Sequence, residues 1–112
     1  MEAPKRSILL AGGTGDLGGR IASALVKRGA DVRALVRLGT SPQKQTALVA
    51  LGAQVVEVDD EDPAALTDAC RGAFCVVSAL NGLRPTIIGM QGRLLDAAIA
   101  AGVPRFIPSD FS

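Results

Sequence analysis

The stretch that most constrains this chain is Gly12-Gly13-Thr14-Gly15-Asp16-Leu17-Gly18-Gly19. It follows the apolar run Ile8-Leu9-Leu10-Ala11 and precedes a segment with helical apolar spacing, which predicts a strand, a tight turn and a helix start. Three glycines stand at G-x-x-G-x-x-G spacing, and each has a role if the turn meets a dinucleotide. Gly12 would reverse the chain, Gly15 would let a pyrophosphate approach the backbone, and Gly18 would let the helix lie close on the sheet. The pyrophosphate would then lie at the positive end of the helix dipole.

An alternative is that the segment is a glycine-rich strand-to-helix turn without a ligand, because a short motif alone has a real false-positive rate. The strand and helix signals on both sides, and their repetition along the chain, favour a nucleotide site. Thr14 would add a hydroxyl donor. Asp16 would repel a phosphate unless its side chain turns outward or caps the helix, so we expect it to face away.

Composition narrows the class of protein. The chain has 112 residues, 48% of them hydrophobic and 21% charged, which predicts one globular domain spanning 1–112. No apolar run approaches the roughly 20 residues that a membrane span requires. A net charge of +1 gives no electrostatic footprint for nucleic acid or acidic membranes. Residues 1–6 are polar rather than a secretory signal, so a cytoplasmic location is expected.

Metal and redox chemistry are not favoured by the sequence. Cys70 and Cys75 are the only cysteines and there is no histidine, so an ordinary zinc site is not expected and both thiols are interpreted as small buried hydrophobes. The acidic group 59–62 would suit a cation, but helix capping and solubility explain it more simply.

Apolar runs and turn signals alternate along the whole chain. They predict strands at 8–11, 32–36, 55–58, 74–79 and 106–107 and four intervening helices, each ended by a glycine: Gly29, Gly52, Gly72 and Gly102. Ser41-Pro42 and Asp62-Pro63 are typical helix starts, and Asn81-Gly82 predicts a turn.

Two of these helices have an apolar side that we expect to pack on the sheet. In the first helix it contains Leu17, Ile21, Ala24 and Leu25. In the last it contains Ile87, Leu94, Leu95 and Ala98, with Gln91 as the polar exception on the same side. The fourth strand is apolar at nearly every position, as expected for a strand covered on both faces.

Five strands that alternate with helices, without hairpin signals, predict parallel strands joined by right-handed crossovers. The expected fold is therefore an α/β, Rossmann-type doubly wound parallel sheet, a three-layer αβα sandwich with strand order 3-2-1-4-5. In such a sheet the ligand crevice lies at the carboxyl ends of strands 1 and 4.

The residue that ends the second strand selects the dinucleotide. An acid there would bind a ribose 2′-hydroxyl, whereas an arginine would pair with a 2′-phosphate. The chain has Arg37, and Lys44 would add a second charge at the start of the next helix. Both residues would otherwise be solvated surface cations. The position favours NADPH/NADP over NADH/NAD.

The chain resembles the amino-terminal half of the isoflavone reductase-like and NmrA-like proteins, an atypical short-chain dehydrogenase branch. The matching segments are residues 12–18 at the turn, Val36-Arg37 at the second strand, and Arg105-Phe106-Ile107-Pro108-Ser109-Asp110-Phe111. The closing segment is more specific than the glycines, and the resemblance covers all 112 residues. Asp16 and Asp110 depart from the residues common in the family.

The resemblance implies an NADPH-binding domain. Beside the turn residues, it implies Arg37 and Lys44 near the 2′-phosphate and Asp59 by the adenine. The nicotinamide end would lie near Ser78, Ala79, Leu80, Pro108 and Ser109. It also implies a catalytic lysine downstream of residue 110 and a carboxyl-terminal substrate region. All three lysines, Lys5, Lys27 and Lys44, precede that point, so no catalytic residue is assigned and the chain is expected to be part of a longer protein.

Three hypotheses for function follow. In the first, the parent protein is an NADPH-dependent reductase of a small aromatic or carbonyl-containing molecule. In the second, it is an NmrA-like regulator that senses NADP(H) and binds a protein partner. In the third, the segment alone folds poorly because surfaces are left uncovered. With no tyrosine and no histidine, the remaining candidates for chemistry are Ser78, Ser109 and Asp110. Ser109 and Asp110 are interpreted as shaping the loop above the fifth strand rather than transferring protons.

Overall fold

The computed structural model describes residues 6–80 and 84–108. Within them, strands and helices alternate: β1 (Ser7–Ala11), α1 (Asp16–Lys27), β2 (Asp31–Arg37), α2 (Pro42–Ala50), β3 (Gln54–Val58), α3 (Pro63–Cys70), β4 (Cys75–Ser78), α4 (Arg84–Ala100) and β5 (Arg105–Ile107). The predicted turn at Asn81-Gly82 lies outside the described residues.

The five strands form one parallel sheet in the order β3-β2-β1-β4-β5. The predicted strand order is therefore confirmed. In the centre, Leu10 of β1 pairs in register with Ala34 on one side and Val77 on the other. The chain reverses its direction of travel across the sheet between β3 and β4, so β1 and β4 flank the switch point.

Each face of the sheet carries its own apolar core. Successive residues of a strand point to opposite faces, so Leu9 packs with Leu66 of α3 and Leu94 of α4, whereas Leu10 packs with Ala22 of α1 and Leu48 of α2. All four residues of β4 are buried, as predicted from a sequence that is apolar at nearly every position. Helices on both faces of a parallel sheet make the predicted three-layer sandwich.

The helix starts and ends follow the predicted signals. The backbone N–H of Lys44 donates to Ser41 Oγ over 3.4 Å, and that of Ala64 donates to Asp62 Oδ1 over 3.0 Å. The four glycines predicted to end helices have positive φ angles between 74° and 100°, a conformation that costs glycine little because it has no Cβ.

The predicted buried faces of α1 and α4 were partly wrong. Leu17 is 63% exposed and Leu95 is 40% exposed. The buried positions of α1 are instead Gly18 and Ala22, and those of α4 include Met90 and Ala97. Apolar residues occur around much of both helices, so sequence spacing fits neighbouring stripes equally well, and the position of the sheet decides between them.

The two cysteines are buried with free thiols, as interpreted from the sequence. Burial raises the pKa of both thiols, and the positive charges of Arg33 and Arg105 only partly oppose this at Cys70 and Cys75 respectively. Neither thiol therefore has the lowered pKa of a reactive cysteine. Among the described helices, none has the length and hydrophobicity needed to cross a bilayer.

Candidate functional site

A cleft of about 820 Å³ opens at the carboxyl ends of β1, β2 and β3. Six of the residues proposed from the sequence line it: Gly12, Thr14, Gly15, Arg37, Lys44 and Leu80. Its remaining walls come from the strand ends, from the loop 39–41, and from Asp60 and Met90. The cleft thus lies at the carboxyl edge of the sheet, mainly on the β1 side of the switch point, and Leu80 lines it from the segment that follows β4.

The glycine-rich turn brings β1 directly into α1. The backbone N–H of Gly15 donates to the Gly12 carbonyl over 3.2 Å, and the Gly19 N–H donates to the Gly15 carbonyl over 2.8 Å as the first helical hydrogen bond. Gly15 is the N-cap and provides no side-chain cap. Since the first N–H groups of an α-helix have no acceptor within the helix, the start of α1 presents donors to an anion.

Glycine stands at the three spaced positions for different physical reasons. A Cβ on Gly12 would lie 2.6 Å from the Ala79 carbonyl carbon, and φ there is +86°. A Cβ on Gly18 would strike the Gly12 carbonyl and come within 2.8 Å of Gly13 Cα. A Cβ on Gly15 would meet nothing closer than the Gly12 carbonyl oxygen at 3.6 Å. Packing therefore requires glycine at positions 12 and 18, whereas at position 15 it leaves space on the cleft side.

Asp16 points away from the turn, as expected from its charge. Its carboxylate forms an ion pair with Arg20 over 3.2 Å, and its side chain is 87% exposed. Leu17 is also exposed, and neither residue lines the cleft.

Arg37 ends β2 at the rim of the cleft, with Lys44 in the first turn of α2 across from it. The Arg37 carbonyl accepts hydrogen bonds from the Thr40 N–H and hydroxyl, which fixes the turn into α2. Its guanidinium Nε lies 3.0 Å from Asp60 Oδ2. Two cations at one end of a cleft favour an anionic ligand group there.

Asp60 is the charged residue of the cleft lining that sequence reasoning missed. The available signal was the register of a parallel sheet: Arg37 pairs with Val58, so residues just past the end of β3 come beside Arg37. The acidic cluster was considered only as a whole, whereas its members have separate partners. Asp60 pairs with Arg37, Asp59 Oδ1 accepts from the Glu61 N–H over 3.0 Å, and Asp62 caps α3.

The other proposed residues lie around the cleft rather than in its lining. Asp59 is exposed, Ser78 and Ala79 are buried at the end of β4, and Pro108 is exposed beyond β5. The Ala79 N–H donates to the Ala11 carbonyl over 2.8 Å, which joins β4 to β1 below the turn. Ser109 and Asp110 lie outside the described residues. Contact of these residues with a cofactor stays a prediction.

The acidic cluster provides no metal site in the part of the chain that the structure describes. No group of three or more acidic or cysteine side chains within residues 6–80 and 84–108 is placed to hold a metal ion.

Together, the parallel order 3-2-1-4-5 and the glycine-rich cleft at the switch point define a Rossmann-type α/β domain. The sequence model of the NmrA-like family matches residues 4–112. The chain belongs to the NmrA-like family.

Individual relatives and solved structures agree with this assignment. The chain is 38% identical over 117 residues to isoflavone reductase homolog IRL of Zea mays, a match that covers 99% of this chain and 37% of that protein. It superposes on the structure of AtPrR2 with NADP+ and (+)pinoresinol with a TM-score of 0.84 and 37% identity, over 98% of this chain and 38% of the other.

A further solved structure is the binary complex of leucoanthocyanidin reductase with NADPH from Vitis vinifera. The TM-score is 0.80 at 30% identity, over 95% of this chain and 36% of that one. The chain thus spans little more than a third of the length of these proteins.

Proposed function

We propose that this chain is the NADP(H)-binding domain of an NADPH-dependent reductase that acts on a small, aromatic or carbonyl-containing molecule. The observation that carries the proposal is the placement of Arg37 and Lys44 in the same cleft as the glycine-rich turn. A dinucleotide with a 2′-phosphate has one diphosphate and one monophosphate to bind, and the cleft offers donors of matching kind at two places. The relatives named above, two of them in complexes with NADP+ or NADPH, support it.

In this proposal the pyrophosphate lies against the N–H groups at the start of α1, where Gly15 leaves room for it. The 2′-phosphate lies between the Arg37 and Lys44 side chains, and the adenine lies near the end of β3 and Asp59. The nicotinamide end extends toward Leu80, with residues 78–79 and 108–109 near it. Bound NADPH supplies a hydride, and the residues of this chain bind and orient it.

The proton donor and the substrate pocket are proposed to lie outside this chain. Among the described residues, the cleft contains no tyrosine or histidine, and Lys44 lies at the phosphate end. The resemblance implies a lysine downstream of residue 110 for this role. We expect a substrate related to those of the relatives. Its reduction would require a pocket next to the nicotinamide.

Comparing the affinities of the full chain for NADPH and NADH tests the proposal. We expect tighter binding of NADPH, since only NADPH has the 2′-phosphate. Arg37→Ala should weaken NADPH binding by about tenfold or more, the loss typical of a charge-assisted contact, and leave NADH binding nearly unchanged. Gly15→Val should weaken binding of both, because its side chain would occupy the position given to the pyrophosphate.

The matched control is Arg71→Ala. Arg71 is also an exposed arginine paired with an aspartate, Asp68, over 2.9 Å, but it precedes β4 at the opposite edge of the sheet. It should not change either affinity. Equal binding of NADPH and NADH by the unaltered chain would contradict the assignment of the cofactor.

Turnover separates the reductase from a non-catalytic sensor of NADP(H). Because the proton donor is proposed to lie outside this chain, this test uses the longer parent protein. Oxidation of its bound NADPH in the presence of a lignan or isoflavone-type substrate supports the reductase. Tight NADPH binding without oxidation across such substrates would favour the sensor.

A further inference from the structure

We infer that Asp60 is a positioning residue for the 2′-phosphate site, holding the Arg37 guanidinium in the orientation that discriminates NADPH from NADH. The inference rests on the proposed function, because it concerns the same cleft. It assigns a role to an acidic residue that lies beside a proposed phosphate site, where charge repulsion alone predicts that the carboxylate weakens phosphate binding.

The exposure of the two partners indicates which one is fixed. The Asp60 side chain is 18% exposed, whereas that of Arg37 is 61% exposed, and their contact is Nε to Oδ2 at 3.0 Å. A long, exposed arginine side chain samples many rotamers in water. The more buried carboxylate restricts it at Nε, close to the middle of the side chain.

The loop that contains Asp60 is held by two hydrogen bonds, one at Asp60 itself and one between its neighbours Asp59 and Asp62. Arg93 on α4 donates from Nε to the Asp60 carbonyl over 3.0 Å. The Asp62 N–H donates to the Asp59 carbonyl over 3.1 Å, at the residue that caps α3. The carboxylate therefore belongs to a loop that two helices anchor, and it serves as a fixed point at the mouth of the cleft.

The donor inventory of arginine allows both contacts at once. A guanidinium has five N–H donors, of which one is on Nε. With Nε directed at Asp60, the terminal nitrogens keep four donors in a planar fork that suits a phosphate. A carboxylate at Nε thus orients the fork without occupying it.

Two effects of opposite sign act on the phosphate. Asp60 repels it, but the site is open to solvent and salt, which screen charges that are not in contact. The restriction of Arg37 is not screened in this way, because it reduces the conformational entropy lost on binding. Positioning therefore outweighs repulsion, and removal of the carboxylate should weaken NADPH binding.

Asp60→Asn in the full chain tests this inference, since it keeps the shape of the side chain and removes its charge. We expect the Kd for NADPH to rise about fivefold, as for loss of a partly exposed ion pair that orders a ligand contact. The Kd for NADH should change less than twofold. In an Arg37→Ala background the same substitution should no longer weaken NADPH binding, because the positioning effect of Asp60 acts through Arg37 and only its repulsion of the phosphate remains.

Asp68→Asn is the matched control, because it breaks a second aspartate–arginine pair, whose residues do not line the cleft. It should leave both affinities unchanged. If Asp60→Asn does not fold, as judged by thermal unfolding, Arg93→Ala gives the same comparison, since it removes the anchor of the Asp60 backbone from an exposed position. It should weaken NADPH binding selectively.

Three results would overturn the inference: tighter NADPH binding by Asp60→Asn, equal weakening of NADPH and NADH, or an undiminished effect in the Arg37→Ala background. These results count against the role of Asp60 only if the unaltered chain prefers NADPH to NADH. If the unaltered chain has no such preference, the proposed function fails instead, so its two affinities distinguish failure of the inference from failure of the proposed function.

Discussion

At the scale of single residues, the glycine-rich turn shows that identical residues in one motif meet different requirements. Gly12 and Gly18 are needed by the fold, because added side-chain atoms would collide with backbone. Gly15 has no such neighbour in the turn, and the proposed pyrophosphate site would account for glycine at this position. A ligand-free turn would therefore still need two of the three glycines.

Gly18→Ala should destabilise the chain by about 2 kcal/mol or more, because the new Cβ would push α1 away from the Gly12 and Gly13 backbone. Gly19→Ala is the neighbouring control. Its Cβ would lie 3.8 Å from the Gly13 carbonyl oxygen, and alanine favours the helix, so stability should rise by about 0.5 to 1 kcal/mol. Urea unfolding measures both changes. Equal effects of the two substitutions would show that the contact of α1 with the turn is misplaced.

At the scale of secondary-structure elements, the strands were predicted more closely than the helix faces. β4 is buried along its length, and its sequence is apolar except at Ser78. In α4 the apolar residues outnumber the positions that the sheet covers, so Leu94 is fully buried while its neighbour Leu95 is 40% exposed. The ends of the helices followed from capping residues and glycines. The rotation of each helix about its axis, which sets its buried side, depended on the elements that it packs against.

Leu94→Ala should therefore lower the free energy of unfolding by about 3 kcal/mol, the loss typical of a cavity in a core. Leu95→Ala removes the same atoms from a partly exposed position and should cost less than about 1 kcal/mol. Chemical denaturation of the two variants gives the comparison directly. A larger loss for Leu95→Ala would mean that α4 is rotated relative to the sheet.

At the scale of the whole molecule, the two buried thiols link stability to alkaline pH. Their pKa values in the folded chain are raised above the ordinary 9.0 by burial, so the folded state keeps its protons where the unfolded state loses them. The protonated thiols therefore make their full contribution to the free energy of unfolding below about pH 9, and this contribution is lost as the pH rises above that value.

Urea unfolding with reductant at pH 7.5, 9 and 10 should show a free energy of unfolding that falls between pH 9 and pH 10, because the raised thiol pKa values keep the folded state protonated there. The chain has no tyrosine, so no phenol titrates in this range. A Cys70→Ala, Cys75→Ala variant should have a flatter dependence on pH. The same slope in that variant would assign the effect to other groups.

The surface of the domain bears on the hypothesis that this segment folds poorly alone. Ile88, Ile99 and Ile107 are large apolar residues that are more than half exposed on α4 and β5, and isolated exposed residues of this kind are common. That hypothesis stays a prediction, which the unfolding experiments above also examine.

The sequence by itself determined the alternation of elements, the ends of the helices and the position of the cleft. These follow from local rules: apolar period, capping residues, glycine at positive φ, and the right-handed crossover of parallel strands. Only the tertiary structure decided the buried sides of α1 and α4, the separate need for each glycine, and the pairing of Asp60 with Arg37. Those features depend on atoms brought together from distant parts of the chain, whose distances no local pattern records.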